Sequence, residues 1–284
     1  MKALIIGSIV LDVVLELDHL PAYQQDVHVS SHAFRAGGCA YNVARIVNGY
    51  GCAYELCAPM GEGVYAEELA RLVKAAGMEP GYPVKGEEGC CYCFIDEKRD
   101  RTFISNHGVE YGFDQTQIKT ADPDIVYACG LEVEEKDGEA LVSFIEKQNC
   151  QVIFAPGARC LHIPKDRLER IYKAGVILHV SEQEAKELSG MADVDAAVAY
   201  LHEKTHNDVI CTLGAHGSMI FGEKVIKTEA RKVDVVDTLG AGDSHCGGYI
   251  SGILKGYDKE KALRLADLAA QCVISKQSLC DISE

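Results

Sequence analysis

Short, mostly apolar runs recur along this chain at wide intervals, and between them apolar positions repeat at helical spacing. Residues 3–6, 53–58, 125–128, 152–155, 176–180 and 209–213 form such runs. Apolar blocks of that length predict strands buried on both faces of a sheet. The intervening segments 41–48, 66–76, 136–147, 166–173, 183–188, 194–204 and 259–275 carry apolar residues three and four apart and predict helices. Strand and helix alternating in this way predicts an α/β fold: a largely parallel sheet covered by helices on both faces, in three α/β/α layers. Ligands of such folds bind beyond the carboxyl ends of the strands.

Two stretches break the alternation. Residues 10–33 and 89–105 interleave strand-like and polar residues with no helix between them. They are expected to form a small separate sheet, its strands drawn from about 10–35 and 89–105; the alternative is a pair of ordinary hairpins on the main sheet. No internal repeat, low-complexity tract or linker divides the chain, so residues 1–284 read as a single domain.

The stretch Asp237-Thr238-Leu239-Gly240-Ala241-Gly242-Asp243 carries the most chemistry. It feeds a Gly-rich turn straight into a helical pattern that runs to Lys255. The first N–H groups of a helix have no acceptor within it and bear partial positive charge, so such an entry is an anion site. Asp243 places a carboxylate at that site. It could simply cap the helix. It could also take a proton from a hydroxyl attacking a bound phosphate, and the stretch then points to phosphoryl transfer to an alcohol. Within the helix Gly247, Gly248 and Gly252 are poor helix formers, which predicts close packing against a neighbour.

This stretch resembles the carboxyl-terminal signature of the ribokinase-like (PfkB-type) carbohydrate kinases, whose consensus is close to D-T-T-G-A-G-D. Gly37-Gly38-Cys39-Ala40-Tyr41-Asn42-Val43-Ala44 resembles the amino-terminal G-G-x-x-x-N-x-A of the same family. Weaker similarity covers the whole chain, at Gly7 to Asp12, Met60-Gly61, Arg101 to Phe103, and Thr212-Leu213-Gly214 with Gly217. The resemblance implies a ribokinase-like core with a small β lid that covers the substrate. It implies an ATP- and Mg²⁺-dependent kinase that transfers the γ-phosphoryl group to a primary hydroxyl of a sugar or sugar-like small molecule. In that scheme Asp243 is the base and the turn of Gly240, Ala241 and Gly242 stabilises the transferring group. Asp12, Gly38 and Asn42 hold the sugar. Thr212, Gly214 and Gly217 contact ATP, and Glu184 organises water around the Mg²⁺. Ser181, which stands where the family usually has Asn in the stretch that ends at Glu184, is a further cofactor-binding candidate. Asp237 shapes the anion loop and, in the family, helps bind a monovalent cation, which makes K⁺ a further candidate cofactor. The last helix should end beside the adenine, although residues 274–278 lack the Gly often found there and Asp267 replaces a common Asn. The lid implies a homodimer.

Composition narrows the alternatives. A net charge of −15 argues against general binding to nucleic acid or to anionic membranes. No run approaches the length of a membrane span, and the first residues lack the pattern of a signal peptide. Thirteen scattered cysteines then read as reduced thiols in a cytoplasmic protein rather than as a disulfide scaffold. Cys90, Cys91 and Cys93 give one C-x-x-C spacing with no second pair to complete a zinc site. A nucleoside kinase of the same fold is the nearest competitor, with Tyr41 and Phe103 as candidate stackers for a base. A non-catalytic sugar-binding regulator is a second. A dinucleotide-dependent dehydrogenase is disfavoured because Gly7-Ser8-Ile9 lacks the G-x-G-x-x-G of pyrophosphate binding.

Overall fold

The computed structural model describes residues 1–98 and 100–281. Arg99, within the expected small sheet, and residues 282–284 of the expected domain lie outside the described residues. From the amino terminus, β1 (Lys2–Ile6) leads into β2 (Val10–Leu17), β3 (Val29–Gly37), α1 (Cys39–Gly49), β4 (Ala53–Cys57), β5 (Pro59–Glu62), α2 (Val64–Ala75), β6 (Tyr82–Glu87), β7 (Cys90–Ile95) and β8 (Arg101–Asn106). There follow β9 (Ile125–Cys129), α3 (Gly130–Glu134), α4 (Glu139–Ile145), β10 (Gln151–Ala155), α5 (Lys165–Lys173), β11 (Ile177–Ser181), α6 (Glu182–Ser189) and α7 (Val194–Thr205). The chain ends with β12 (Val209–Thr212), β13 (Ser218–Phe221), β14 (Ile226–Thr228), α8 (Ala241–Leu254) and α9 (Lys259–Ile274).

Eight of these strands form one sheet in the order β14-β13-β12-β11-β10-β9-β1-β4. It is parallel from β12 to β4, and β13 and β14 add an antiparallel edge. The continuous apolar runs have the reason expected. In β1, Ala3 and Ile5 point into a core shared with α1, α2, α8 and α9, while Leu4 and Ile6 point into a second core with α4 to α7. All four are at most 1% exposed. A strand covered on both faces has no solvent side to make polar.

One helix differs from expectation. Residues 136–147 hold no single helix: α3 starts directly after β9, and α4 begins only at Glu139. A Cβ on Gly138 would lie 2.5 Å from the Val133 carbonyl oxygen, so the chain turns there against α3 before the apolar periodicity resumes.

The segments that broke the alternation pair with each other. β3-β2-β7-β8 form a four-stranded sheet separate from the main one, with β2 and β7 parallel and the outer pairs antiparallel. The register aligns Asp12 with Arg35 and Cys91 in one row. Alternation along the strands then puts Arg101 and Phe103 on the same face as Asp12. The opposite face rests on α2, where the Tyr65 and Tyr92 hydroxyls are 2.8 Å apart. The three cysteines of β7 divide between these faces; Cys90 and Cys93 are buried and Cys91 half-buried. A short parallel pair, β5 and β6, forms a third sheet and was not expected.

Candidate active site

The residues singled out in the sequence gather where the main sheet's strands end. β1 ends at Gly7 and Ser8, β11 at Ser181 and the start of α6, and β12 at the turn holding Gly214 and Gly217. α8 enters this region amino end first, packed between α1 and α9.

Gly240 is the N-cap of α8, with φ of 71° and no side-chain cap. A left-handed N-cap favours glycine, and with no side-chain cap the Gly242 and Asp243 N–H groups have no acceptor among the described residues. Ala241 N–H donates to the Thr238 carbonyl at 3.2 Å, while Ser244 N–H closes the first turn onto Gly240 at 2.8 Å. A Cβ built on Gly242 meets nothing within 4 Å, so this face is open to a ligand.

Asp243 stands in that first turn, and its Oδ2 accepts a 2.9 Å hydrogen bond from Asn42 Nδ2. Burial pushes its carboxyl up to about 6, while hydrogen bonds from Asn42 and Cys39 act to lower it. The two motifs thus meet in one contact, although they lie far apart in sequence. Asp12 also has its carboxyl raised to about 6 by burial, against the lowering effect of Arg35.

Two cavities flank the amino end of α8. The first, of about 550 Å³, is lined by Asp12, Gly37, Tyr41, Asn42, Arg45 and, from the far wall, the segment after α9. Gly38 is not among its lining residues. Its φ of 94° and a would-be Cβ only 2.5 Å from the Ser8 carbonyl oxygen show that it lets the chain pass close to β1's end. Gly37 faces Asp12 itself: a Cβ there would meet Asp12 Oδ2 at 2.3 Å. The second cavity, of about 660 Å³, is lined by Thr212, Gly214, Gly217, Ala241, Gly242 and an apolar wall that includes Val235, Ala270 and Ile274. A third, of about 580 Å³, lies by Lys2 and Tyr54 at the amino ends of β1 and β4, away from this site.

Ser181 and Glu184 form a reciprocal cap on α6. Ser181 Oγ accepts from Glu184 N–H at 3.2 Å, and Glu184 Oε2 accepts from Ser181 N–H at 2.9 Å. Burial raises the Glu184 carboxyl. Neither Ser181 nor Glu184 is among the residues lining the two cavities.

Asp237 is held by the small sheet. Arg101 Nη2 donates to its Oδ1 at 2.6 Å and Arg35 Nη1 to its Oδ2 at 3.4 Å. Leu239 N–H adds a third bond at 2.9 Å. The sequence reading assigned no role to these two arginines. Their signal was available only in part, as alternate residues on strands whose register was unknown.

A further group was missed. Glu132, in α3 just past β9, is 1% exposed, and neither carboxylate oxygen has a hydrogen-bond partner among the described residues. Burial raises its carboxyl to about 7. A Cβ on Gly7 would lie 3.2 Å from its Oε1. The usable clue was a carboxylate just past the carboxyl end of a fully apolar strand. His107, which was not assigned a role, pairs with Glu135 at 2.8 Å and stacks near Tyr111.

A parallel sheet with a helix entry lacking a side-chain cap at its carboxyl ends, a half-buried carboxylate in that entry and a cavity on each side make a candidate phosphoryl-transfer site. Comparison with known proteins agrees. The pfkB family of carbohydrate kinases matches residues 1–284, and the chain belongs to that family. It is similar to the uncharacterized sugar kinase YegV of Escherichia coli, at 28% identity over 96% of this chain and 88% of that one. It is also similar to a nucleoside kinase of Methanothermobacter thermautotrophicus, at 23% identity over 96% and 89%. The fold is ribokinase-like: a crystal structure of ribokinase from Thermotoga maritima superposes with a TM-score of 0.85, covering 100% of this chain and 97% of that one at 20% identity. No helix among the described residues is long and apolar enough to cross a membrane.

Proposed function

We propose that this protein is an ATP-dependent carbohydrate kinase that transfers the γ-phosphoryl group to a primary hydroxyl of a sugar or sugar-like small molecule. The observation that carries this reading is the position of Asp243. It is bonded to Asn42, which lines one cavity, and follows Ala241 and Gly242, which line the other. A hydroxyl in the first cavity and a terminal phosphate in the second would meet at its carboxylate.

In this reading Asp12 and Asn42 orient the acceptor, because a carboxylate and an amide together match the donors and acceptors of neighbouring hydroxyls. Gly37 and Gly38 let backbone and Asp12 come close. Asp243 accepts the proton as the hydroxyl attacks, and a carboxyl near 6 is poised for that exchange close to neutral pH. The uncapped N–H groups at the start of α8 stabilise charge on the transferring group. Thr212, Gly214, Gly217 and the apolar wall of Val235, Ala270 and Ile274 fit a nucleotide whose base is largely apolar in contact. The donor set also fits Mg²⁺: the partly buried Glu184 has one oxygen committed to its helix cap and Oε1 left for an outer-shell water. Bound Mg–ATP supplies the phosphoryl group and a divalent charge to offset its oxygens. K⁺ beside Asp237 would have to compete with the guanidinium groups of Arg35 and Arg101.

We also propose that the small sheet is a lid on one kinase domain and that two lids pair in a homodimer. Its exposed apolar residues support this: Val29, Phe34, Phe103 and Ile104 are 43–58% exposed. Thirteen free thiols support a reducing, cytoplasmic setting. The second reading, a nucleoside kinase, is favoured by Tyr41 in the cavity wall, where a base could stack. ADP release with Mg–ATP across ketoses, aldoses, sugar acids, inositols and nucleosides is the test. Stimulation by a sugar-like acceptor is expected. Stimulation by nucleosides alone would move the assignment to the second reading, and no acceptor-dependent turnover would remove the kinase reading.

A further inference from the structure

The far wall of the Asp12 cavity is the segment that follows α9. Cys272, Lys276, Gln277, Ser278 and Leu279 all line it. Lys276 has φ of 55°, a left-handed conformation uncommon outside glycine, so the chain reverses sharply there. The reversal brings Cys280 back onto α9. Its Sγ lies 3.4 Å from that of Cys272, and neither thiol is in a disulfide.

Other contacts hold this approach in place. Gln277 N–H donates to the Cys272 carbonyl at 2.8 Å, and the Tyr50 hydroxyl donates to the Cys280 carbonyl at 2.9 Å. Leu279 packs over Gly49, where a Cβ would meet its Cδ1 at 2.5 Å. Lys255 pairs with Asp281, and the Tyr257 hydroxyl donates to the same carboxylate at 3.3 Å. A disulfide has an S–S length of about 2.05 Å, so the sulfurs need to close by only about 1.4 Å.

We propose that Cys272 and Cys280 form a reversible dithiol–disulfide pair that clamps the segment after α9 as a fixed wall of the acceptor cavity. The functional half rests on the reading of that cavity given above. The oxidant is a small disulfide such as oxidised glutathione. Cys280 is the less buried thiol, and its thiolate attacks one glutathione sulfur. The glutathione S–S bond breaks, a mixed disulfide forms and one glutathione thiolate leaves. The Cys272 thiolate then attacks Cys280 Sγ and expels the second glutathione thiolate. Two protein thiols are oxidised, one glutathione disulfide is reduced to two thiols, and the two protons pass from protein to glutathione. Closing the bond draws Cys280 toward α9 and pulls Ser278 and Leu279 with it. The acceptor then meets a displaced wall that no longer yields.

The test uses the full chain equilibrated with glutathione at graded redox ratios. Differential alkylation with peptide mass analysis should find the Cys272–Cys280 bond forming before any other pair. Hydrogen exchange of residues 276–279 should slow at least tenfold, and the KM of whichever acceptor the panel identifies should rise at least threefold at saturating ATP. Dithiothreitol should reverse all three effects, and Cys280→Ser should show none of them. The proposal is overturned if Cys272 stays alkylatable while other cysteines oxidise, if exchange is unchanged once the bond has formed, or if KM does not rise. If no acceptor is phosphorylated, the kinase reading fails on its own, while alkylation and exchange still decide whether the clamp exists.

Discussion

In the proposed reading, Asp243 concentrates the conflict between stability and function in one side chain. Burial lifts its carboxyl to about 6, above the unperturbed 3.8, so the folded state binds this proton more tightly than the unfolded state. Stability from this group therefore falls as pH rises between those values, and above about pH 6 the charged carboxylate opposes folding. Asp243→Asn should abolish turnover, with a loss on the order of 10²–10⁴-fold in kcat, as removal of a general base commonly gives. The same variant should unfold at higher denaturant concentration at pH 8, by on the order of 1 kcal/mol. Retention of a third of wild-type turnover would rule out the assigned role. In the wild type, kcat should decline below about pH 6 as Asp243 takes up its proton. Asp12→Ala should leave kcat nearly intact and raise the acceptor KM, with about 1.5–3 kcal/mol expected for a charged hydrogen bond. An unchanged KM would take Asp12 out of the acceptor site.

At the scale of an element, α8 shows why its glycines are where they are. A Cβ on Gly248 would sit 2.7 Å from the Ala266 Cα, and one on Gly252 2.7 Å from the Ala262 Cα, both on α9. A Cβ on Gly247 would lie 2.8 Å from the Ile46 Cβ on α1. The helix that carries the proposed anion site is therefore wedged between two others at near-backbone distance. Gly→Ala in a helix ordinarily gains up to about 1 kcal/mol of propensity. Overpacking a tight core costs about 1–3 kcal/mol. Because the contacts at Gly248 include α9 backbone, which cannot rotate away, the second effect should win. Gly248→Ala should lower the denaturation midpoint; a stabilised variant would show that α8 and α9 are less closely packed than described.

Across the whole molecule, the small sheet is tied to the anion loop through Arg35, Arg101 and Asp237. On the proposal that this sheet is a lid, its opening breaks those bonds and couples substrate entry to the shape of the loop. Arg101→Ala should raise KM for both ATP and acceptor, since the better of the two bonds to Asp237 is lost, by about 1–2 kcal/mol for a partly exposed charged contact. An effect on neither KM would uncouple the sheet from the loop. The exposed strands also bear on assembly, because a sheet of few strands is marginal alone and leaves edges open. Light scattering should give a dimer at micromolar concentration. Replacing Val27 and Val29 with Asp should yield a monomer with an unchanged core circular dichroism spectrum. A wild-type monomer with full activity would exclude the lid dimer.

The main sheet was legible in the sequence because its strands are buried on both faces, and only continuous apolar residues satisfy that environment. The turn that enters α8 was legible for a local reason: Gly240 takes a left-handed torsion and the helix starts without a side-chain cap, and both are properties of a few consecutive residues. The long expected helix over 136–147 was misjudged because an apolar periodicity does not report a turn forced by contact with α3. Four features belong to tertiary structure alone. They are the bond from Asn42 to Asp243, the two arginines on Asp237, the burial of Glu132 beneath Gly7, and the return of Cys280 to Cys272. Each joins residues from different elements. Sequence pattern fixes which face of an element is buried, but strand register, helix packing and the path of a terminal segment decide which polar groups meet.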